Sequence, residues 1–228
     1  MLGYLKNVGV AILLVVALAG ATLVQGAAIN ALRPVDTTAA TVLIDTGEGK
    51  GSGVHIGGGY IVTAAHVVDT AAGNTITVRY EGGEAAGWSA QVVGYDKKHD
   101  LALLHIEDTS GPSASISCEA TKIGQSIQIV GNPLDMEFIH TFGRVGSGVR
   151  AMAHWAEAFI GNAVTGPGNS GGPVFDARGR VVGILVGGYM PVVVAPGPMG
   201  LRVTGIPLPG WSFIVPSTTL CRLMGRTS

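Results

Sequence analysis

Charge is scarce in this 228-residue chain: 14 Lys and Arg against 15 Asp and Glu leave a formal net charge of -1, and charged residues make up 13%. No dense Lys/Arg cluster occurs, which excludes a nucleic-acid partner, because phosphates demand basic surface. Internal repeats are absent at the level of residue identity, so solenoid and propeller arrays are not supported. Long apolar runs are missing too, with one exception, Val8 to Val24, which follows Lys6. That run is close to the ~20 residues a bilayer-spanning helix needs. Its Ala19-Gly20-Ala21 also fits a small-residue cleavage site, so a removable signal peptide and a retained N-terminal anchor both remain open. Either one sends the rest of the chain out of the cytoplasm, where a disulfide between the two cysteines, Cys118 and Cys221, can persist.

Apolar residues (47%), 36 glycines and 11 prolines are what the chain has in quantity. Short apolar runs closed by Gly, Asn, Asp or Pro read as strands and tight turns, hence an all-β protein. The expected organisation is a signal peptide or anchor over 1–25, a tether over 26–40 and one domain over 41–228. Within that domain one strand series covers 41–45, 52–56, 59–63, 75–80, 89–95 and 101–106. After a connector at 107–121, a second covers 125–130, 137–143, 146–150, 158–161, 173–176, 181–187 and 211–215. Ser217 to Met224 has the cap and spacing of a short terminal helix. The stretch 187–210 lacks periodicity and reads as a long functional or mobile loop. His154-Trp155-Ala156-Glu157 has no second His at helical spacing and reads as a surface loop rather than a metal site.

Gly168-Asn169-Ser170-Gly171-Gly172-Pro173 carries the clearest chemistry. Glycines around a serine bring amide N–H groups close to a ligand, so Ser170 is a candidate nucleophile beside an oxyanion hole; a Gly-rich turn is the plain alternative. A serine hydroxyl needs a base, and that base needs a group to hold its tautomer. Of six histidines, His66 ends the apolar run Tyr60-Ile61-Val62-Thr63-Ala64-Ala65, where a strand turns. Asp100 enters the apolar run Leu101-Ala102-Leu103-Leu104, where a buried carboxylate requires a hydrogen-bonding partner.

Thr63-Ala64-Ala65-His66, Asp100-Leu101-Ala102-Leu103-Leu104 and the Ser170 motif, in that order, resemble the three signatures of trypsin-like (chymotrypsin-fold) serine peptidases. Gly210-Trp211-Ser212-Phe213-Ile214-Val215-Pro216-Ser217 is similar to the closing strand and helix entry of their HtrA/Deg branch. The resemblance implies two six-stranded antiparallel β-barrels with the site in the cleft between them. It implies Ser170 as nucleophile, His66 as general base and then acid, Asp100 as orienter, and the Gly168 and Ser170 N–H groups as oxyanion hole. It further implies a substrate pocket based on Val164 and walled by Val186, Gly187 and Gly188, hence cleavage after small or medium aliphatic residues. Cys118 and Cys221 fall in regions that some secreted members bridge by a disulfide.

Two departures refine the branch. Asn169 stands where peptidases activated by N-terminal cutting carry Asp, which points to control by the loops 161–168 and 187–208. Val186 stands where many relatives have a hydroxyl supporting the triad carboxylate. With few residues after Trp211, no PDZ domain is expected. The expected partners are polypeptide substrates, and the membrane if the N-terminal segment is kept; a homotrimer stays open. No cofactor or metal is expected. A catalytically silent peptide-binding relative is the alternative, and its mark, a missing triad residue, is not found in the sequence.

Overall fold

The structure is a computed structural model that describes residues 36–226, apart from 70, 72–74, 109, 190–191, 198–199 and 206–209. The expected signal or anchor, with its N-terminal hydrophobic helix, lies outside the described residues. Among the described residues no helix is long and apolar enough to cross a membrane.

Six strands form the first half: β1 (Thr41–Asp45), β2 (Lys50–His55), β3 (Tyr60–Thr63), β4 (Ile76–Tyr80), β5 (Trp88–Asp96) and β6 (Leu101–His105). They close into an antiparallel barrel in the order β1-β2-β3-β6-β5-β4. Alternation drives the closure: in β4 Ile76 and Val78 are buried while Thr77 and Arg79 are only partly so, and Val42, Ile44, Val54, Ile61 and Leu104 fill the interior. A short helix, α1 (Ala65–Asp69), follows β3.

The second half contains β7 (Ser126–Gly131), β8 (Ile139–Arg144), β9 (Arg150–Met152), β10 (Trp155–Gly161), β11 (Pro173–Phe175), β12 (Val181–Gly188), β13 (Val192–Gly197), β14 (Gly200–Gly205) and β15 (Ser212–Pro216). A terminal helix, α2 (Ser217–Leu223), closes the chain where the sequence places one. Seven of these strands make one sheet in the order β8-β7-β11-β12-β15-β10-β9. The expected second six-stranded barrel is therefore only approached: just past the end of β8 the single bridge Val145↔Gly161 joins the chain to the end of β10, with the Gly146 N–H donating to Ile160 O (2.7 Å) and the Asn162 N–H to Arg144 O (3.1 Å). Gly146-Ser147-Gly148 interrupts the run there, and the next strand, β9, pairs with the first half of β10.

Three further expectations change. The aperiodic stretch 187–210 contains a two-stranded hairpin, β13 with β14, whose Pro and Gly content hides its period of two. The end of the tether is packed into the domain: Thr37, Thr38 and Ala40 are buried, and the Thr38 hydroxyl shares a hydrogen bond with His140 Nε2 (2.7 Å). Residues 154–157 are not a surface loop, because β10 begins at Trp155, whose ring is buried.

Candidate active site

Antiparallel pairing of β3 with β6 brings the first two residues together. Thr63 lies opposite Ala102, so the chain just past β3 sits beside the chain just before β6. His66 and Asp100 occupy those two positions. The Ala65 N–H donates to Asp100 O (3.1 Å), and Asp100 itself is in the left-handed region (φ 55), which Asp tolerates better than most side chains. That backbone turn aims the carboxylate back at α1. Its Oδ1 accepts from the His66 backbone N–H (2.9 Å) and its Oδ2 from the His66 ring Nδ1–H (2.8 Å). Asp100 is buried, whereas the His66 side chain is 45% exposed. Burial pushes the Asp100 carboxyl upward, but hydrogen bonds from the His66 ring, the Trp155 indole and the His66 amide outweigh it and hold the group below its ordinary value.

Ser170 sits on the turn that leads into β11. Asn169 N–H donates to Gly166 O (3.1 Å), Gly172 N–H to Asn169 O (2.9 Å) and Gly171 N–H to Leu185 O (2.7 Å), so the turn is tied both to itself and to β12. Gly168 (φ 95) and Gly171 (φ 82) are the positions where only glycine fits. A Cβ on Gly168 would come within 2.2 Å of Asn132 O, and one on Gly171 within 2.1 Å of Thr63 Oγ1. The Pro167 carbonyl accepts from Leu134 N–H (2.9 Å), which turns the Gly168 N–H of the same trans peptide the other way. Among the described residues neither the Gly168 nor the Ser170 amide donates to a protein acceptor. Two unspent donors on one turn are what an anionic ligand requires.

Ser52 was invisible in the sequence and staples the two halves at this turn. Its N–H donates to Ser170 O (2.8 Å), its hydroxyl donates to Gly168 O (2.7 Å), and it accepts from Asn132 N–H (3.0 Å). Only the position of Ser52 inside Gly51-Ser52-Gly53 signalled a close approach of backbones.

A cavity of about 300 Å³ opens beside these groups, lined by His66, Ser170, residues 165–167, residues 185–189 and Trp211. The expected wall, Val186, Gly187 and Gly188, is part of it. The expected base is not: Val164 is 54% exposed and lies outside the lining. Thr165, one residue on, faces Gly188 instead, with its Oγ1 2.8 Å from where a Gly188 Cβ would stand. Tyr189 and Trp211, in ring contact at 5.6 Å, complete the lining and had no sequence signal beyond their type. None of the lining residues is a carboxylate. Cys118 and Cys221 are bonded to each other, joining the connector to α2.

A closed β-barrel beside a second sheet, with His66 and Ser170 lining one cavity and Asp100 bonded to His66 behind it, is an arrangement of the peptidase type. The chain belongs to the trypsin-like peptidase domain family, whose model matches residues 51–184. It is 35% identical over 146 residues to a Synechocystis sp. protein bearing the serine protease name HhoA, covering 60% of this chain and 36% of that protein. It is 32% identical over 169 residues to a DegP-like periplasmic serine endoprotease by name from Hahella chejuensis, covering 67% of this chain and 35% of that one. The chain thus spans about a third of the length of these relatives. Among solved structures, the inactive form of the Rv3671c protease shares the fold (TM-score 0.66, 23% identity, 84% of this chain and 91% of that one), and Rv3671c comes from M. tuberculosis. So does the HtrA-type protease AlgW with a tripeptide (TM-score 0.65, 24% identity, 82% and 60%).

Proposed function

We propose that this chain is a serine endopeptidase of the HtrA/Deg type that cleaves polypeptides through an acyl-enzyme. One observation carries the reading: a buried carboxylate grips both the backbone and the ring N–H of His66, while His66 and Ser170 line the same cavity. Asp100 fixes the tautomer with the proton on Nδ1, which leaves Nε2 as the base. Nε2 takes the Ser170 Oγ proton as Oγ bonds to the scissile carbonyl carbon. The resulting oxyanion is met by the Gly168 and Ser170 amides, worth about 3–4 kcal/mol per donor in related chemistry. The imidazolium then protonates the leaving amine, and water repeats the sequence to free the acid.

Specificity follows from the lining. A basic substrate side chain in a cavity without a carboxylate would be desolvated and unpaired, which is costly. The wall of Val186, Gly187, Gly188 and Trp211 favours small or medium aliphatic residues before the cut. Residues 1–25 export the domain, in keeping with the periplasmic names of relatives, and protein-chemical sequencing of the mature N-terminus separates cleavage from anchoring. The test is a peptide library digested by the full-length chain beside Ser170→Ala. Products ending in Val, Ala, Ile or Leu, absent with the variant, are expected; products ending in Lys or Arg would overturn the pocket assignment.

A further inference from the structure

Asp100 Oδ2 has two donors, and only one of them is His66. The other is the Trp155 indole, whose Nε1–H points at Oδ2 from 3.0 Å. Trp155 comes from the opposite half of the molecule, 55 positions along the chain, on the first residue of β10. Its placement is over-determined. The next amide, Ala156 N–H, donates to Lys98 O (3.2 Å) in the turn that precedes Asp100. The ring lies 5.1 Å from Phe213 and 4.1 Å from His154, and it is buried. On its other side it meets the cavity wall at Gly187, where an added Cβ would come within 2.9 Å of Cη2 and 3.2 Å of Cζ2. A buried indole N–H requires an acceptor, and a buried carboxylate requires donors beyond the one it shares with the base. Val186, beside Gly187, has no donor to offer.

We propose that Trp155 is a positioning residue for the triad, holding the Asp100 carboxylate in the plane that grips His66 and linking that carboxylate to the substrate wall at Gly187. The proposal rests on the peptidase reading above. The indole acts through Asp100 and touches neither substrate nor reacting atoms. The lowered carboxyl of Asp100 agrees with it, since the Trp155 bond is among the causes that keep the group ionised. Gly187 is part of the same device, because a Cβ there would press on the ring that Asp100 holds.

The test replaces Trp155 in the full-length chain by 3-benzothienylalanine, which keeps the shape of the ring and puts sulfur where the N–H was. Trp155→Phe is the second variant, and kcat, KM and the rate of fluorophosphonate labelling are measured for both. The isostere is expected to stay folded with a modestly lowered Tm, to keep the wild-type KM and to lose about 10- to 100-fold in kcat and in labelling rate, the range for a lost hydrogen bond to a charged group. Its acid limb of kcat/KM moves to higher pH, because a carboxylate with one donor fewer holds the imidazolium proton more tightly. An isostere with wild-type kcat and acid limb overturns the proposal, as does a loss confined to KM. If the unsubstituted chain itself fails to label, the peptidase reading falls before any variant is compared.

Discussion

The two halves of the domain differ in closure and in what they contribute. The first is a closed barrel in which every strand has two partners, and it carries His66 and Asp100, the proposed base and its carboxylate, at the ends of neighbouring strands. The second is a seven-stranded sheet joined to itself by one bridge, and it carries Ser170, the proposed nucleophile, with the unspent amides and the cavity wall, on turns and strand ends. Rigid pairing suits a charge pair that must not move, while turns suit amide donors that must surround a ligand. Neither half holds a complete site. Among the described residues, Ser52 and Trp155 each reach from one half to the proposed site residues of the other.

The sharpest way to break this division is to remove one group from each half. His66→Ala and Ser170→Ala should each lower kcat/KM by about 10⁶-fold, and the double variant should be no worse than either, because the two act as a unit. Independent, additive losses would deny the shared site. Next in size is the Cys118–Cys221 bond, which closes a loop with a sequence separation of 103. Reduction should cost up to about 4–5 kcal/mol by the chain-entropy account, read as a fall in Tm with dithiothreitol. Ser52→Ala tests the staple: the Asn132 N–H loses a buried acceptor and the Gly168 carbonyl a donor, so stability should drop by roughly 1–3 kcal/mol in denaturant titration, with kcat falling as the amide turn loosens.

Much of this was legible in the sequence, and the failures have a physical pattern. The six barrel strands, α2 and the order His66, Asp100, Ser170 rest on local signals, namely alternation, caps and glycine-boxed motifs. Trp155 and Ser52 rest on contacts between segments far apart in the chain, which no local pattern encodes. Trp155 read as loop because the apolar run that signals a strand begins only at Ala158, after the polar His154 and Glu157. The hairpin β13–β14 was hidden by glycine and proline, and Val164 lies in an irregular segment where no strand alternation tells which side chain faces the cavity; Thr165 is the one that does.

Acidification sharpens the comparison further. The Asp100 carboxyl is lower in the folded chain than its ordinary 3.8, so its stabilising contribution is complete above that value and is lost as pH falls below it through the folded-state value. Unfolding free energies of wild type and Asp100→Asn should therefore differ at neutral pH and converge as the pH drops below 3.8. The smallest effect belongs to the surface. Lys50 and Asp135 bridge the halves at 3.1 Å but are 45% and 84% exposed, so Lys50→Ala should shift stability by no more than about 1 kcal/mol and leave hydrolysis unchanged.

The most direct measurement is the site of covalent attack. Full-length protein treated with a fluorophosphonate and mapped by peptide mass spectrometry should carry one adduct, on Ser170, formed far more slowly in His66→Ala and absent in Ser170→Ala. An adduct on another serine, or none on the unsubstituted chain, would contradict a nucleophile assembled from both halves.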